Sequence, residues 1–212
     1  MRRLDGHTLI LTGASSALGQ SCTEKFLAAG AHVALVDREI PPSSHAHQRG
    51  FMCDPENAEQ IAQVAADISA WQNQKLILVH AWAYQAATAL ADITPVQWRR
   101  NFAVHVEAAV QMALALVPAM QTAGWGRLLY SVSAKALKGM RDHPDFCAAQ
   151  MGLVGLVRAL ANDLGPHGIT ANAICYGDDP ADGFADMALF LASDGARMIT
   201  GQSLQCAEAL VG

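Results

Sequence analysis

Two segments of the sequence carry residue types that could do chemistry. The first is Thr12-Gly13-Ala14-Ser15-Ser16-Ala17-Leu18-Gly19, directly after the apolar run Leu9-Ile10-Leu11. Glycines in a turn between a strand and a helix let backbone amides close on a pyrophosphate, and the positive end of the helix then favours its charge. Ser15 and Ser16 either donate to a phosphate or cap the helix. Asp37 ends the next apolar run, Val33-Ala34-Leu35-Val36. A carboxylate there can accept from both ribose hydroxyls and would repel a 2′-phosphate, which favours NAD over NADP, although the adjacent Arg38 could meet that phosphate instead. The second segment is Phe146-Cys147-Ala148-Ala149-Gln150, downstream of Ser133. Ser133 brings a hydroxyl, whereas phenylalanine has no proton to give and glutamine no charge.

The elements that must position these groups are short apolar runs alternating with longer segments of helical period. After the first two runs come Phe51-Met52-Cys53, Leu76-Ile77-Leu78-Val79, Leu128-Leu129-Tyr130, Ala171-Asn172-Ala173-Ile174 and Ser203-Leu204-Gln205. Continuous rather than alternating runs indicate strands covered on both faces, and strand-helix alternation demands right-handed crossovers. The expectation is a doubly wound, Rossmann-like α/β sandwich of three layers with a seven-stranded parallel sheet, in one domain over residues 1–212. Asp54-Pro55 and Thr94-Pro95 read as helix starts, and Gly30 as a helix end. Phe146, Ala149, Leu153, Leu156, Leu160 and Leu164 recur at helical spacing and fall on one side, with Arg158, Asn162 and Asp163 on the polar face.

With these residues in view, the chain resembles the short-chain dehydrogenase/reductase family nearly end to end. The resemblance rests on the Thr-Gly-x-x-x-Gly-x-Gly turn, whose middle glycine is Ala17 here, and on the closing strand at Ile199-Thr200-Gly201-Gln202-Ser203-Leu204. It implies hydride transfer between a nicotinamide and an alcohol or ketone. It also implies cofactor contacts at Gly13, Ser15, Ser16, Leu18, Gly19, Asp37, Asp54 and Ala81, with Asp54 where the family meets adenine. Of the family's four catalytic groups, the serine aligns with Ser133, the asparagine with His105, the tyrosine with Phe146 and the lysine with Gln150. Groups that act as a unit fail as a unit, so loss of the usual reaction is expected. Tyr176, with Lys135 and Lys138, is a conceivable replacement set, and His105 and His143 are further acid/base candidates. Trp82, in His80-Ala81-Trp82-Ala83 where the family has small residues, could plug the adenosine groove, stack on a ligand or turn into the core. The substrate lid around 178–183 is shortened, as is the segment from Glu39 to Gly50. Family members associate through the helices that span Val96 to Met120 and Phe146 to Leu164 in this chain, so a homo-oligomer, or a hetero-oligomer with a related active subunit, is expected.

Composition bounds the rest. A net charge of −5 and no basic run beyond Arg2-Arg3 and Arg99-Arg100 argue against nucleic acid. Five cysteines are scattered singly, which suits buried thiols in a reducing, cytoplasmic setting. His45 and His47 form a local pair without further ligands, so a solvated loop and no metal are expected. No apolar stretch is expected to span a membrane.

Overall fold

The computed structural model describes residues 4–43, 45–72, 75–177 and 181–206, apart from the side chain of Asp182. Seven strands form the sheet: β1 (His7–Thr12), β2 (His32–Asp37), β3 (Gln48–Met52), β4 (Lys75–His80), β5 (Gly126–Ser133), β6 (Ile169–Tyr176) and β7 (Ser203–Gln205). All pair in parallel, in the order β3-β2-β1-β4-β5-β6-β7. The expected doubly wound architecture is therefore the observed one. Strand order reverses between β1 and β4, the topological switch where such sheets bind ligands at their carboxyl ends.

Helices α2 (Ala58–Trp71), α4 (Ala108–Ala123) and α6 (Pro144–Leu164) cover one face, and α1 (Ala17–Ala28) and α7 (Ala181–Ala192) the other. Short helices α3 (Pro95–Phe102) and α5 (Ala134–Lys138) lie near the carboxyl ends of the strands. Residues in register share a face, so Val36, Thr12, His80, Tyr130 and Ala173 form one row beneath the α2, α4 and α6 layer. The row runs from fully apolar at its ends to polar at its centre, below the candidate site.

Several sequence expectations need correction. Asp54 does not cap α2: its Oδ1 accepts from the Glu56 amide at 2.9 Å, and Asn57 is the cap, accepting from the Gln60 amide. Thr94 does cap α3, with Pro95 behind it. The helical segment read from Val96 to Met120 contains a π turn at Ala103–Glu107. Its full extent, Pro95–Ala123, is long and apolar enough to cross a membrane, contrary to expectation. Yet Val104, Ala108, Met112, Leu116 and Met120 are buried against the sheet, so its apolar character is that of a core helix. Leu156 and Leu160 do not share the buried stripe of α6, which is Phe146, Ala149, Gln150, Leu153, Val154, Val157, Ala161 and Leu164; they line its flank instead.

Candidate nucleotide and catalytic site

The glycine turn is dictated by packing before any ligand is considered. Gly13 has φ 71°, and a Cβ there would sit 2.3 Å from the Ala81 carbonyl oxygen. At Gly19 a Cβ would lie 2.5 Å from the carbonyl oxygen of Gly13. The turn must therefore be bare for β1 to feed α1 against the loop after β4. Ser16 is the cap: its Oγ donates to the Gly13 carbonyl at 2.7 Å and accepts from the Gly19 amide at 3.1 Å. Leu18 turns its side chain into the core, leaving only its backbone for a ligand. Ala17, the first residue of α1, is exposed, so its methyl meets no protein neighbour closely enough to bury it.

Asp37 leans toward this turn. Its Oδ2 accepts from the Ser15 amide at 2.9 Å and the Ser15 hydroxyl at 2.6 Å. Arg38 points elsewhere, donating through Nε and Nη2 to Asp54 at 3.1 and 2.7 Å and through Nη2 to Glu56 at 2.6 Å. Arg100 of α3 reaches the same Glu56 oxygen at 3.1 Å and stacks 4.4 Å over the Tyr84 ring. The Glu56 amide first, then the Arg38 guanidinium, hold the Asp54 carboxyl below its usual range against partial desolvation. Ala81 is anchored by its amide on Thr12 Oγ1 at 3.0 Å. Trp82 is 4% exposed and belongs to the core cluster with Ile61, Val64 and Val104. Of the three outcomes open to Trp82, turning into the core is the one observed. The turn amides, Asp37 and the small Ala81 thus fit the adenosine and pyrophosphate of a dinucleotide.

On the opposite side the four catalytic positions meet, but they meet each other. Gln150 Oε1 accepts from the Ser133 amide at 2.7 Å, and its Nε2 lies 3.1 Å from His105 Nδ1. Since a backbone amide only donates, this fixes the orientation of the Gln150 side chain; Nδ1 must then accept, and His105 carries its proton on Nε2. That nitrogen donates to the Tyr84 carbonyl at 3.0 Å; the Tyr84 amide also points at it, at 3.2 Å, and goes unaccepted in this tautomer, which makes two of the three contacts where the other would make one. Phe146 sets its ring edge-on to His105 at 5.4 Å. Gln150, Phe146 and His105 are all at most 2% exposed. His105, an acid/base candidate in the sequence, is a core group within the π turn, and burial lowers its pKa.

Neighbouring groups are equally closed. Burial foremost, with His105 nearby, pushes His80 down to about 3. Asp145, wholly buried, accepts from Asn101 Nδ2 at 2.7 Å, Gln97 Nε2 at 3.0 Å and the Phe146 amide at 2.9 Å, tying the start of α6 to α3. Neither this carboxylate nor Tyr84 was singled out from sequence, because their roles depend on contacts 44 and 21 residues away.

Ser133 caps α5, its Oγ accepting from the Ala136 amide at 3.4 Å. Tyr176 is its register partner on β6 and packs edge-on to Phe184 at 6.3 Å, with burial raising its pKa. Lys135 and Lys138 are exposed on α5, and His143 lies just before α6 with Nδ1 2.8 Å from the Arg141 carbonyl. Asp178, Asp179 and Pro180 of the shortened lid lie outside the described residues, with α7 beginning at Ala181. Among the described residues no group of three metal-ligating side chains converges.

Comparison with known proteins agrees with this fold. Residues 13–178 match a family model described as enoyl-(acyl carrier protein) reductase. D-threitol dehydrogenase of Mycolicibacterium smegmatis is 28% identical, over 95% of this chain and 92% of the relative. A probable galactose dehydrogenase of Rhizobium meliloti is 30% identical, over 80% and 70%, and a D-beta-hydroxybutyrate dehydrogenase of the same species 26% identical, also over 80% and 70%. With the parallel sheet, the glycine turn at its switch point and a family model matching most of its length, the chain belongs to the short-chain dehydrogenase/reductase family.

Proposed function

We propose that this family member binds an adenine dinucleotide, NAD in preference to NADP, without carrying out the family's hydride transfer. The observation that carries the reading is Gln150, whose amide joins the Ser133 backbone to His105 in a buried network. Transfer of a hydride to a carbonyl leaves an oxyanion that needs a proton. Phe146 has none to give, no ammonium stands at 150, and His105 has its proton directed at the Tyr84 carbonyl. The preference for NAD is supported by Asp37 facing the turn while Arg38 is engaged by Asp54 and Glu56. Five thiols free of disulfides fit the cytoplasmic setting inferred from sequence.

Such a protein serves as a subunit. A groove of about 240 Å³ between α4 and α6 is lined by Val110, Leu114, Val117, Leu156 and Leu160, with Leu114 70% exposed. A second copy or a related active chain would cover it, and Leu114→Glu should return the assembly to monomers in light scattering. For the main reading, the test is calorimetric titration with NAD and NADP beside turnover assays on small alcohols and carbonyls. Binding of NAD without turnover is expected; turnover at ordinary enzyme rates sinks the reading.

One observation favours a second reading. Ser133 and Tyr176 are register partners at the carboxyl edge of the sheet, on the same face. A relocated phenol beside the surviving serine would make an atypical NAD(P)-dependent oxidoreductase on a small alcohol or carbonyl, the class to which the relatives' names point. Loss of any detected turnover in Tyr176→Phe, with unchanged folding, would select this alternative.

A further inference from the structure

We infer that the site takes adenosine diphosphate ligands irrespective of what the second phosphate carries, so that the nicotinamide half of a dinucleotide adds no affinity. This rests on the nucleotide-binding reading and names its ligand class more narrowly: an ADP-ribose type of molecule rather than a dinucleotide as such. The argument is an asymmetry between two halves of one groove. On the adenosine side the groups a ligand would use remain available. The helix start at Ala17 offers its amides, and the Asp37 carboxylate stands at the strand end where ribose hydroxyls would donate. Asp37 is held now by Ser15, whose amide and hydroxyl are also the groups a phosphate could attract, so ligand and turn can exchange these bonds without breaking a core contact.

The nicotinamide side offers no such exchange. A ribose hydroxyl brought there must give up water and find a partner, or its transfer is unfavourable. Gln150 already has both ends of its amide engaged, and Phe146 presents only ring carbon. Freeing Gln150 would strand the Ser133 amide and His105 Nδ1 inside the core, so these bonds are not available for trade. Tyr176 fills the end of β6 against Phe184. A nicotinamide riboside moiety therefore gains no polar contact from positions 146 and 150 and is best left in solvent.

Calorimetric titration of the whole chain with NAD, ADP-ribose and nicotinamide mononucleotide tests this directly. ADP-ribose should bind within about threefold of NAD, and nicotinamide mononucleotide should neither bind nor displace it. Asp37→Ala should weaken both adenosine ligands by the same factor, at least about tenfold. If NAD binds more than about tenfold tighter than ADP-ribose, the inference falls while the nucleotide-binding reading stands. If none of the adenosine ligands binds to protein shown to be folded by circular dichroism, the nucleotide-binding reading falls and takes the inference with it.

Discussion

Gln150 holds His105 in one tautomer. The Ser133 amide fixes one end of the glutamine, the other end donates to Nδ1, and the proton on Nε2 is left facing the Tyr84 carbonyl. Gln150 and His105, 45 residues apart, thus share one hydrogen-bond chain in the core. Each of these two substitutions looks like a loss in isolation, yet together they engage both ends of the Gln150 amide and Nδ1 of His105. On the proposed reading these positions hold protons in place rather than transfer them.

Removing the bridge should therefore be costly. Gln150→Leu leaves the Ser133 amide and His105 Nδ1 buried without partners, for a loss of about 3 kcal/mol. In thermal unfolding that corresponds to a fall of roughly 6–12 °C for a chain of this size. Gln150→Glu keeps the acceptor for Ser133 but turns a carboxylate toward Nδ1, which then must carry a proton. Nitrogen NMR of the imidazole should show neutral Nε2-H His105 in the parent and a higher pKa in the glutamate variant. An Nδ1-H tautomer in the parent would refute the assignment.

Acid should unfold this protein earlier than its carboxylates alone would. His80 and His105 are buried with pKa values below the usual 6.5, His80 at about 3. The unfolded chain binds protons that the folded chain refuses between those limits, so stability is complete above about pH 6.5 and falls as pH drops below it. His80 shifts the folding equilibrium by up to about tenfold per pH unit through that window, and His105 adds to the fall as pH drops below about 6.5. Urea unfolding at pH 7.5, 6 and 5 measures the slope, and His80→Asn should flatten it relative to the parent. Equal slopes would show that His80 titrates alike in both states.

Much of the fold was legible because it is written locally. Runs such as Leu76-Ile77-Leu78-Val79, short and alternating with helical segments, read as strands buried on both faces, and Thr94-Pro95 carries its own capping chemistry. The register of catalytic positions was legible as well, since Ser133, His105, Phe146 and Gln150 do converge. What could not be read was where side chains point once together. The π turn at Ala103–Glu107 inserts one residue's worth of rotation and buries His105, with no sequence signal for it. Asp54-Pro55 looked like a cap because its residue types fit; Arg38, distant in sequence, takes the carboxylate and the chain turns once more before Asn57 starts the helix.

Gly13 and Ala17 in the turn should respond oppositely to substitution. Gly13→Ala forces a Cβ against the Ala81 carbonyl at φ 71°, and should destabilise the fold by more than about 3 kcal/mol with or without nucleotide. Ala17→Gly restores the family's middle glycine at an exposed first helical position. It should cost no more than about 1 kcal/mol of stability. Removing the methyl lets a pyrophosphate approach the helix start, so nucleotide affinity should rise several-fold in titration; unchanged affinity would show that phosphate does not approach at residue 17.

Trp82 separates a blocked groove from an open one. Its indole packs in the core, edge-on to His80 at 5.8 Å, with Nε1 lacking a hydrogen-bond partner among the described residues. Trp82→Phe keeps most of the buried area and removes that orphaned donor, so its cost should stay below about 1.5 kcal/mol. Trp82→Ala leaves a cavity and should cost about 3–5 kcal/mol. Since neither side chain faces the adenosine groove, the phenylalanine variant should bind NAD and ADP-ribose as the parent does. A tenfold gain in affinity on Trp82→Phe would instead place the indole in the ligand's path, and the resistance to binding would then lie at residue 82 rather than at Phe146 and Gln150.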